Sequence, residues 1–211
     1  MALDLSFRCR GDFERRVRSR GFAFIAGVDE AGRGCLFGPV FAAAVILSRD
    51  KPVRGLDDSK RLMPERREVL AARIRDRAVA WSVGRAESDE IDRYNILQAA
   101  RLAMRRAVEQ LTPGPDYLLV DAVTVDFPLP QRALIHGDAR SHSIAAASIL
   151  AKVDRDASMR EMDALYPEYG LAQNKGYGTP GHLVALHRYG PTRLHRRSFA
   201  PVLSCLQISL L

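Results

Sequence analysis

The chain has 211 residues, 47% apolar and 27% charged, inside the globular range and outside disordered, collagenous and fibrous compositions. Its 32 lysines and arginines against 25 acids leave a net charge of +7, which points to an anionic partner, nucleic acid first among them. Three widely spaced cysteines, Cys9, Cys35 and Cys205, exclude a disulfide framework and a cysteine zinc site. Only Lys51, Lys60, Lys152 and Lys175 are lysines, and the arginines are spread along the whole chain, as a genome's base composition would spread them. The opening residues hold no apolar stretch of signal-peptide length, and Leu36 to Leu47 is about half a membrane span. A soluble, cytoplasmic protein with no membrane partner is expected. It should be a single domain over 1–211, with a core at about 20–165 and a helical extension at about 166–211.

The first 20 residues are polar and arginine-rich, and Phe22 to Val28 then reads as a buried strand ending at Asp29. Glycines at 27, 32, 34 and 38 break the chain, Val40 to Leu47 is a second strand, and Arg49 to Lys60 is a polar loop. Pro64, with Glu65 and Glu68 after it, signals a helix over about 64–77, and Ala78 to Ala86 alternates like a strand. From Asp89 to Leu111, residues Leu97, Ala100, Met104, Val108 and Leu111 recur at steps of 3, 4, 4 and 3, predicting one amphipathic helix that stops at Thr112-Pro113-Gly114-Pro115. Tyr117 to Val120 and Arg132 to Ile135 are short strands, and Ser141 to about Leu165 is a helix whose middle, IAAASILA, suits close packing on a sheet. The remaining stretch reads as appended helix. This order predicts an α/β fold around a central mixed sheet flanked by helices.

Three of the predicted strands run into acids: Asp29-Glu30, Asp121 and Asp138. Singly, each aspartate fits a turn. Together, strand ends in one sheet lie side by side, so the acids can converge, and converging carboxylates repel unless a cation sits among them. Oxygen donors without clustered His or Cys suit Mg²⁺ or Mn²⁺, and two such ions can drive phosphodiester hydrolysis. A basic chain with such a site reads as a metal-dependent nuclease. Two other readings stand beside it: a catalytically silent nucleic-acid-binding protein, and a sugar-phosphate or nucleotide enzyme. The second is disfavoured because Gly32-Arg33-Gly34 is followed by Gly38, giving GxGxxxG and then a strand, where a dinucleotide loop needs GxGxxG and a helix.

The motifs Gly27-Val28-Asp29-Glu30-Ala31-Gly32-Arg33-Gly34 and Gly38-Pro39-Val40 closely resemble the signature of the ribonuclease HII family, the type 2 bacterial ribonucleases H. The resemblance continues through Leu56 to Lys60 (LDDSK), Ile91 to Gln98, Asp121-Ala122, Gly137-Asp138, Ser143 to Lys152, Arg155-Asp156, Lys175 to Thr179 and His195 to Val202, spanning about 22–203. It implies the ribonuclease H-like fold and a metal-dependent endonuclease, with Mn²⁺ or Mg²⁺ as cofactor. The implied activity is hydrolysis of RNA in RNA–DNA hybrids and nicking at single ribonucleotides in duplex DNA, leaving 3′-OH and 5′-phosphate ends. By position, Asp29, Glu30, Asp121 and Asp138 resemble the four catalytic, metal-binding acids. Asp126, Asp154 and Asp156 are rivals for the fourth place, the last two more simply read as solvated or paired helix charges. Gly32, Arg33 and Gly34 resemble a loop that senses the 2′-OH, and Tyr177 a tyrosine that stacks on the sugar past the junction. Asn174 stands where the family often has His, before Lys175, which bears only on a local phosphate contact.

Other residues carry two readings each. Asp57, Asp58 and Lys60 form a loop salt bridge, or Ser59 and Lys60 position phosphate. His142 and His182 read as surface or cap residues rather than ligands, while Arg188, Arg193, Arg196 and Arg197 form a solvated face or, with Tyr189 and Phe199, contact the duplex. Finally, Gln207-Ile208-Ser209-Leu210-Leu211 resembles the short peptide by which bacterial replication proteins dock on the sliding clamp; alternatively Leu206, Ile208 and Leu210 pack on the core.

Overall fold

The computed structural model describes Cys9 and residues 11–208, with backbone alone at Ile208. Five strands form one mixed sheet: β1 (Ile25–Ala31), β2 (Val40–Ile46), β3 (Ala80–Ala86), β4 (Tyr117–Asp121) and β5 (Gln131–Leu134). Their spatial order is β3-β2-β1-β4-β5; β2 pairs antiparallel with β1 and β3, whereas β4 runs parallel to both β1 and β5. The eight helices of the described residues are α1 (Asp12–Arg18), α2 (Pro64–Arg77), α3 (Ser88–Tyr94), α4 (Ile96–Glu109), α5 (His142–Leu165), α6 (Leu171–Asn174), α7 (Pro180–Tyr189) and α8 (Ala200–Ile208). None of them is long and apolar enough to cross a membrane.

One face of the sheet, with Ala26, Val28, Val40, Ala42 and Ala44, packs against Ala99, Ala100, Ala103, Met104, Ala107 and Val108 of α4. The other, with Ala43 and Val45, packs against α2 and the small residues of α5. Gly27 sets the α5 contact, because a Cβ there would lie 2.0 Å from the Ser143 carbonyl carbon. The N-terminus of α5 is held by buried Glu14 of α1, whose Oε1 accepts from the Ser143 amide at 2.9 Å and from the Ser141 and Ser143 hydroxyls at 2.6 and 2.7 Å. A carboxylate is favoured at that end of a helix dipole.

Several boundaries differ from expectation. β1 does not end at Asp29 but carries Asp29 and Glu30 within it, because pairing with β2 continues through Asp29↔Ala43 and Glu30↔Ala42. The helix expected over 89–111 is two: Asn95 adopts φ 67°, and its Oδ1 caps α4 by accepting from the Leu97 and Gln98 amides at 3.0 and 3.1 Å. Leu97 is accordingly exposed, and the buried stripe starts at Ala99 and Ala100. β5 is an edge strand, with Ile135 beyond it 71% exposed.

The connections between the helices after α5 clasp residues 36–38. Leu36 donates to the Gly176 carbonyl at 2.8 Å, Gly38 to Leu194 at 2.9 Å, and the Arg196 amide to Leu36 at 2.8 Å. Phe37 is thereby fully buried with Met159, Tyr169 and Leu171.

Candidate active site

Parallel pairing of β1 with β4 places Val28 opposite Val120, so Asp29 and Asp121 follow on neighbouring strands in matching register. Asp138 belongs to a 3₁₀ turn over Gly137–Ala139 rather than to a strand end. That turn is tied to the sheet, since the Gly137 amide donates to Asp121 Oδ1 at 2.7 Å. Asp29 and Asp138 are buried, Glu30 and Asp121 partly so. Asp29 accepts from the Glu30 amide at 2.7 Å, Asp138 from the Ala139 amide at 2.9 Å, and Glu30 pairs with the Arg33 guanidinium at 3.2 Å.

The electrostatics of this edge are unfavourable by design of the fold. Burial first, then the charges of Glu30 and Asp121, push the Asp29 carboxyl well above the usual carboxylate range. Asp121 is raised chiefly by burial, and Asp138 is pushed up to about 6 by burial, Asp58 and Asp121. The cation at hand is exposed Lys60, whose Nζ lies 3.7 Å from Asp138 Oδ2. Burial works against that ammonium, but Asp138, Asp58, Asp29 and Asp121 outweigh it and raise its pKa. Among the described residues no group of three or more His, Cys, Asp or Glu is gathered tightly enough to enclose an ion, as expected of like charges that repel. The donor chemistry nevertheless fits a hard divalent cation: four carboxylates at one edge, with burial and neighbouring acids raising the pKa of Asp29, Asp121 and Asp138.

Beside the acids lies the glycine loop. Gly32 has φ +94°, and a Cβ there would fall 2.0 Å from Arg155 Nε. Arg155 is fully buried and none of its three guanidinium nitrogens has a hydrogen-bond partner; its charge lies 5.8 Å from the Tyr177 ring centre. Tyr177 is 43% exposed, and a Cβ on Gly34 would sit 4.0 Å from its ring. The loop and the tyrosine thus form one surface. Arg196, read from the sequence as a solvated or duplex-facing charge, is instead fully buried: its Nε donates to the Gly38 carbonyl at 2.9 Å and its Nη1 to that of Arg33 at 2.8 Å. It braces the loop from behind.

The remaining candidates fall partly as expected. Ser59 is buried, with its hydroxyl 2.9 Å from that of Ser148 on α5, so it anchors the turn rather than facing solvent. The Lys175 ammonium folds back onto the Ala172 carbonyl. Asp57 pairs with Arg61 at 3.5 Å and Asp58 caps the turn at the Lys60 amide. Asp154 and Asp156 pair with Arg75 and Lys152, leaving neither for the acidic edge; Asp126 is 96% exposed. His142 begins α5 and bonds the Cys9 carbonyl at 3.0 Å, as a cap residue would, whereas His182, read as a surface or cap residue, is fully buried in the first turn of α7. Of the C-terminal peptide, Gln207 is exposed at the end of α8, and residues 209–211 lie outside the described residues. Arg155, Arg196 and His182 escaped the sequence reading as supports because charge and polarity there argued for solvent.

A mixed sheet with carboxylates at the joined ends of β1 and β4, beside a glycine loop, defines a nuclease of the ribonuclease H class. Residues 26–202 match the family model of ribonuclease HII. A ribonuclease HII of Solibacter usitatus is 64% identical over 196 residues, covering 93% of this chain and 86% of that one. Among solved structures, the ribonuclease H2 of Pyrococcus horikoshii superposes with a TM-score of 0.74 at 26% identity, over 88% of this chain and 98% of that one. The ribonuclease HII of Archaeoglobus fulgidus, solved in complex with PCNA, gives 0.69 at 27% identity, over 82% and 91%. The chain belongs to the ribonuclease HII family, and is an endonuclease acting on RNA in RNA–DNA hybrids.

Proposed function

We propose that the chain nicks duplex DNA at single embedded ribonucleotides as well as cutting longer hybrids, with Asp29, Glu30, Asp121 and Asp138 as the catalytic acids that hold Mg²⁺ or Mn²⁺. The observation that carries this reading is the pairing that brings Asp29, Glu30 and Asp121 to the joined ends of β1 and β4, where burial and neighbouring acids raise the pKa of Asp29 and Asp121, next to the loop that meets an exposed tyrosine. Two divalent ions bound there would supply an activated water and stabilise the departing 3′ oxygen, leaving 3′-OH and 5′-phosphate ends. Asp29 and Asp121, fixed by the sheet, orient the site. Glu30 is steered by Arg33 and Asp138 by Lys60, whose exposed ammonium would also be in reach of a substrate phosphate.

Gly32, Arg33 and Gly34 bring backbone polar groups against the 2′-OH, a single donor and acceptor that marks RNA. Tyr177 stacks on the neighbouring deoxyribose, with Lys175 close to the following phosphate; Ser59 contributes by holding Lys60 in place. Residues 1–211 act as one domain in this reading, and the likeness to the Archaeoglobus protein supports clamp docking through 207–211. Incubation with a duplex carrying one ribonucleotide tests it: a nick with Mg²⁺ or Mn²⁺, prevented by EDTA, is expected. Binding without cleavage under every metal would overturn the reading.

A further inference from the structure

Two fully buried histidines take no part in the chemistry above. His182 in α7 and His195 bring their Nε2 atoms within 3.2 Å. The His195 ring stands edge-on at 4.9 Å from both Phe37 and Tyr169. The two ends of the pair determine where the protons sit. At one end the Thr192 amide donates to His195 Nδ1 at 3.0 Å, so that atom presents a lone pair. Burial pushes the His195 pKa down to about 3, leaving the ring neutral with its one proton on Nε2. It donates to His182 Nε2. His182 is also driven toward the neutral form by burial, so its proton lies on Nδ1, which is 2.9 Å from the Tyr177 carbonyl. With both rings neutral, this is the one proton arrangement that gives every link a donor and an acceptor.

We propose that His182 and His195 are positioning residues: a neutral, one-directional chain of two imidazoles that runs from the Thr192 amide to the Tyr177 carbonyl and sets the pose of the Tyr177 ring. The inference rests on the substrate contact assigned to Tyr177 above. Tyr177 needs such a hold because Gly176 and Gly178 flank it, with Gly176 at φ +76°, and because its own ring is exposed. Its own amide and carbonyl otherwise bond locally, to the Asn174 carbonyl at 3.0 Å and from the Thr179 amide at 2.8 Å, while a β-bridge pairs the residue with Cys35. The histidine chain is the tie that reaches across to the segment at 192–195, which itself pairs with Phe37.

Long-range ¹H–¹⁵N spectra of the wild-type protein read the tautomers directly. His182 should appear as the Nδ1-protonated ring and His195 as the Nε2-protonated ring, both neutral at pH 7; any other pair of states overturns the chain. In nicking of a single-ribonucleotide duplex, His182→Ala should lower kcat/KM about tenfold, matching Tyr177→Ala. It should cost nothing further in the Tyr177→Ala background, and His182→Asn, whose amide keeps a donor near Nδ1, should recover activity. A full second tenfold loss in the Tyr177→Ala background overturns the proposal. If His182→Ala does not fold, the wild-type spectra and His182→Asn carry the test. An inert Tyr177→Ala would overturn the substrate contact and with it the positioning role, whereas wrong tautomers beside a sensitive Tyr177 overturn the chain alone.

Discussion

The acidic edge and the loop that faces it solve opposite problems. At the edge, backbone pairing forces Asp29 and Asp121 together and the local electrostatics pay a penalty, visible in raised carboxyl pKa values, with exposed Lys60 beside Asp138 and Arg33 beside Glu30 as counter-charges. At the loop, the exposed surface proposed to meet substrate is held from behind by groups that water does not reach: Arg196 on two carbonyls, Arg155 beneath Gly32 and Tyr177, and a pair of imidazoles that burial keeps neutral. The edge is poised to gain a cation. The loop is built to keep its shape whether or not substrate is present.

The largest effect that separates the two regions should come from Asp121→Asn, which removes a proposed ligand carboxylate but keeps an oxygen to accept from the Gly137 amide. Cleavage of a hybrid should fall to background while circular dichroism stays unchanged; a near wild-type rate would show that the edge is not the reacting centre. At the loop, Gly32→Ala should act through stability as well as activity. Its Cβ meets Arg155 Nε at 2.0 Å with φ +94°, so urea denaturation should show a loss of about 1–3 kcal/mol. Tyr177→Ala leaves the fold and costs stacking on the order of 1–3 kcal/mol in kcat/KM. Equal activity of this variant on a single-ribonucleotide duplex removes Tyr177 from the site.

The smallest effect sharpens the electrostatic half. Asp138 has a pKa of about 6 in the folded chain against an ordinary 3.8. Because the folded value is raised, ionisation opposes folding, so this group's penalty is absent below about pH 4, grows as pH rises to about 6, and is complete above it. In EDTA, Asp138→Asn should therefore raise Tm at pH 7 by a few degrees, at roughly 2–4 °C per kcal/mol, and leave it unchanged at pH 3. A Tm gain of the same size at both pH values would assign the effect to packing.

Much of this architecture could be read from the residues. α2 runs over Pro64–Arg77 as Pro64 and the acids after it indicated, and Asp29 and Asp121 do come to adjoining strands. What was hidden lies where a single residue overrides a periodic pattern. Asn95 breaks a continuous apolar stripe by turning its own backbone to φ 67° and capping the next helix. Strand β1 carries its acids inside the sheet because β2 offers partners beyond Val28. Arg155, Arg196 and His182 look like surface residues by type; the two arginines are buried against a glycine loop more than a hundred positions away, and His182 against Tyr169 and His195. Local sequence carries no signal of such contacts.

The central claim is that Asp29, Glu30, Asp121 and Asp138 form a divalent-cation site. Titration of Mn²⁺ into the protein, followed by paramagnetic broadening of backbone amide resonances, tests it most directly. Broadening centred on residues 29–30, 121 and 137–139, abolished in the Asp29→Asn/Asp121→Asn double variant, is the predicted result. Broadening centred elsewhere, or unchanged in the double variant, would contradict it.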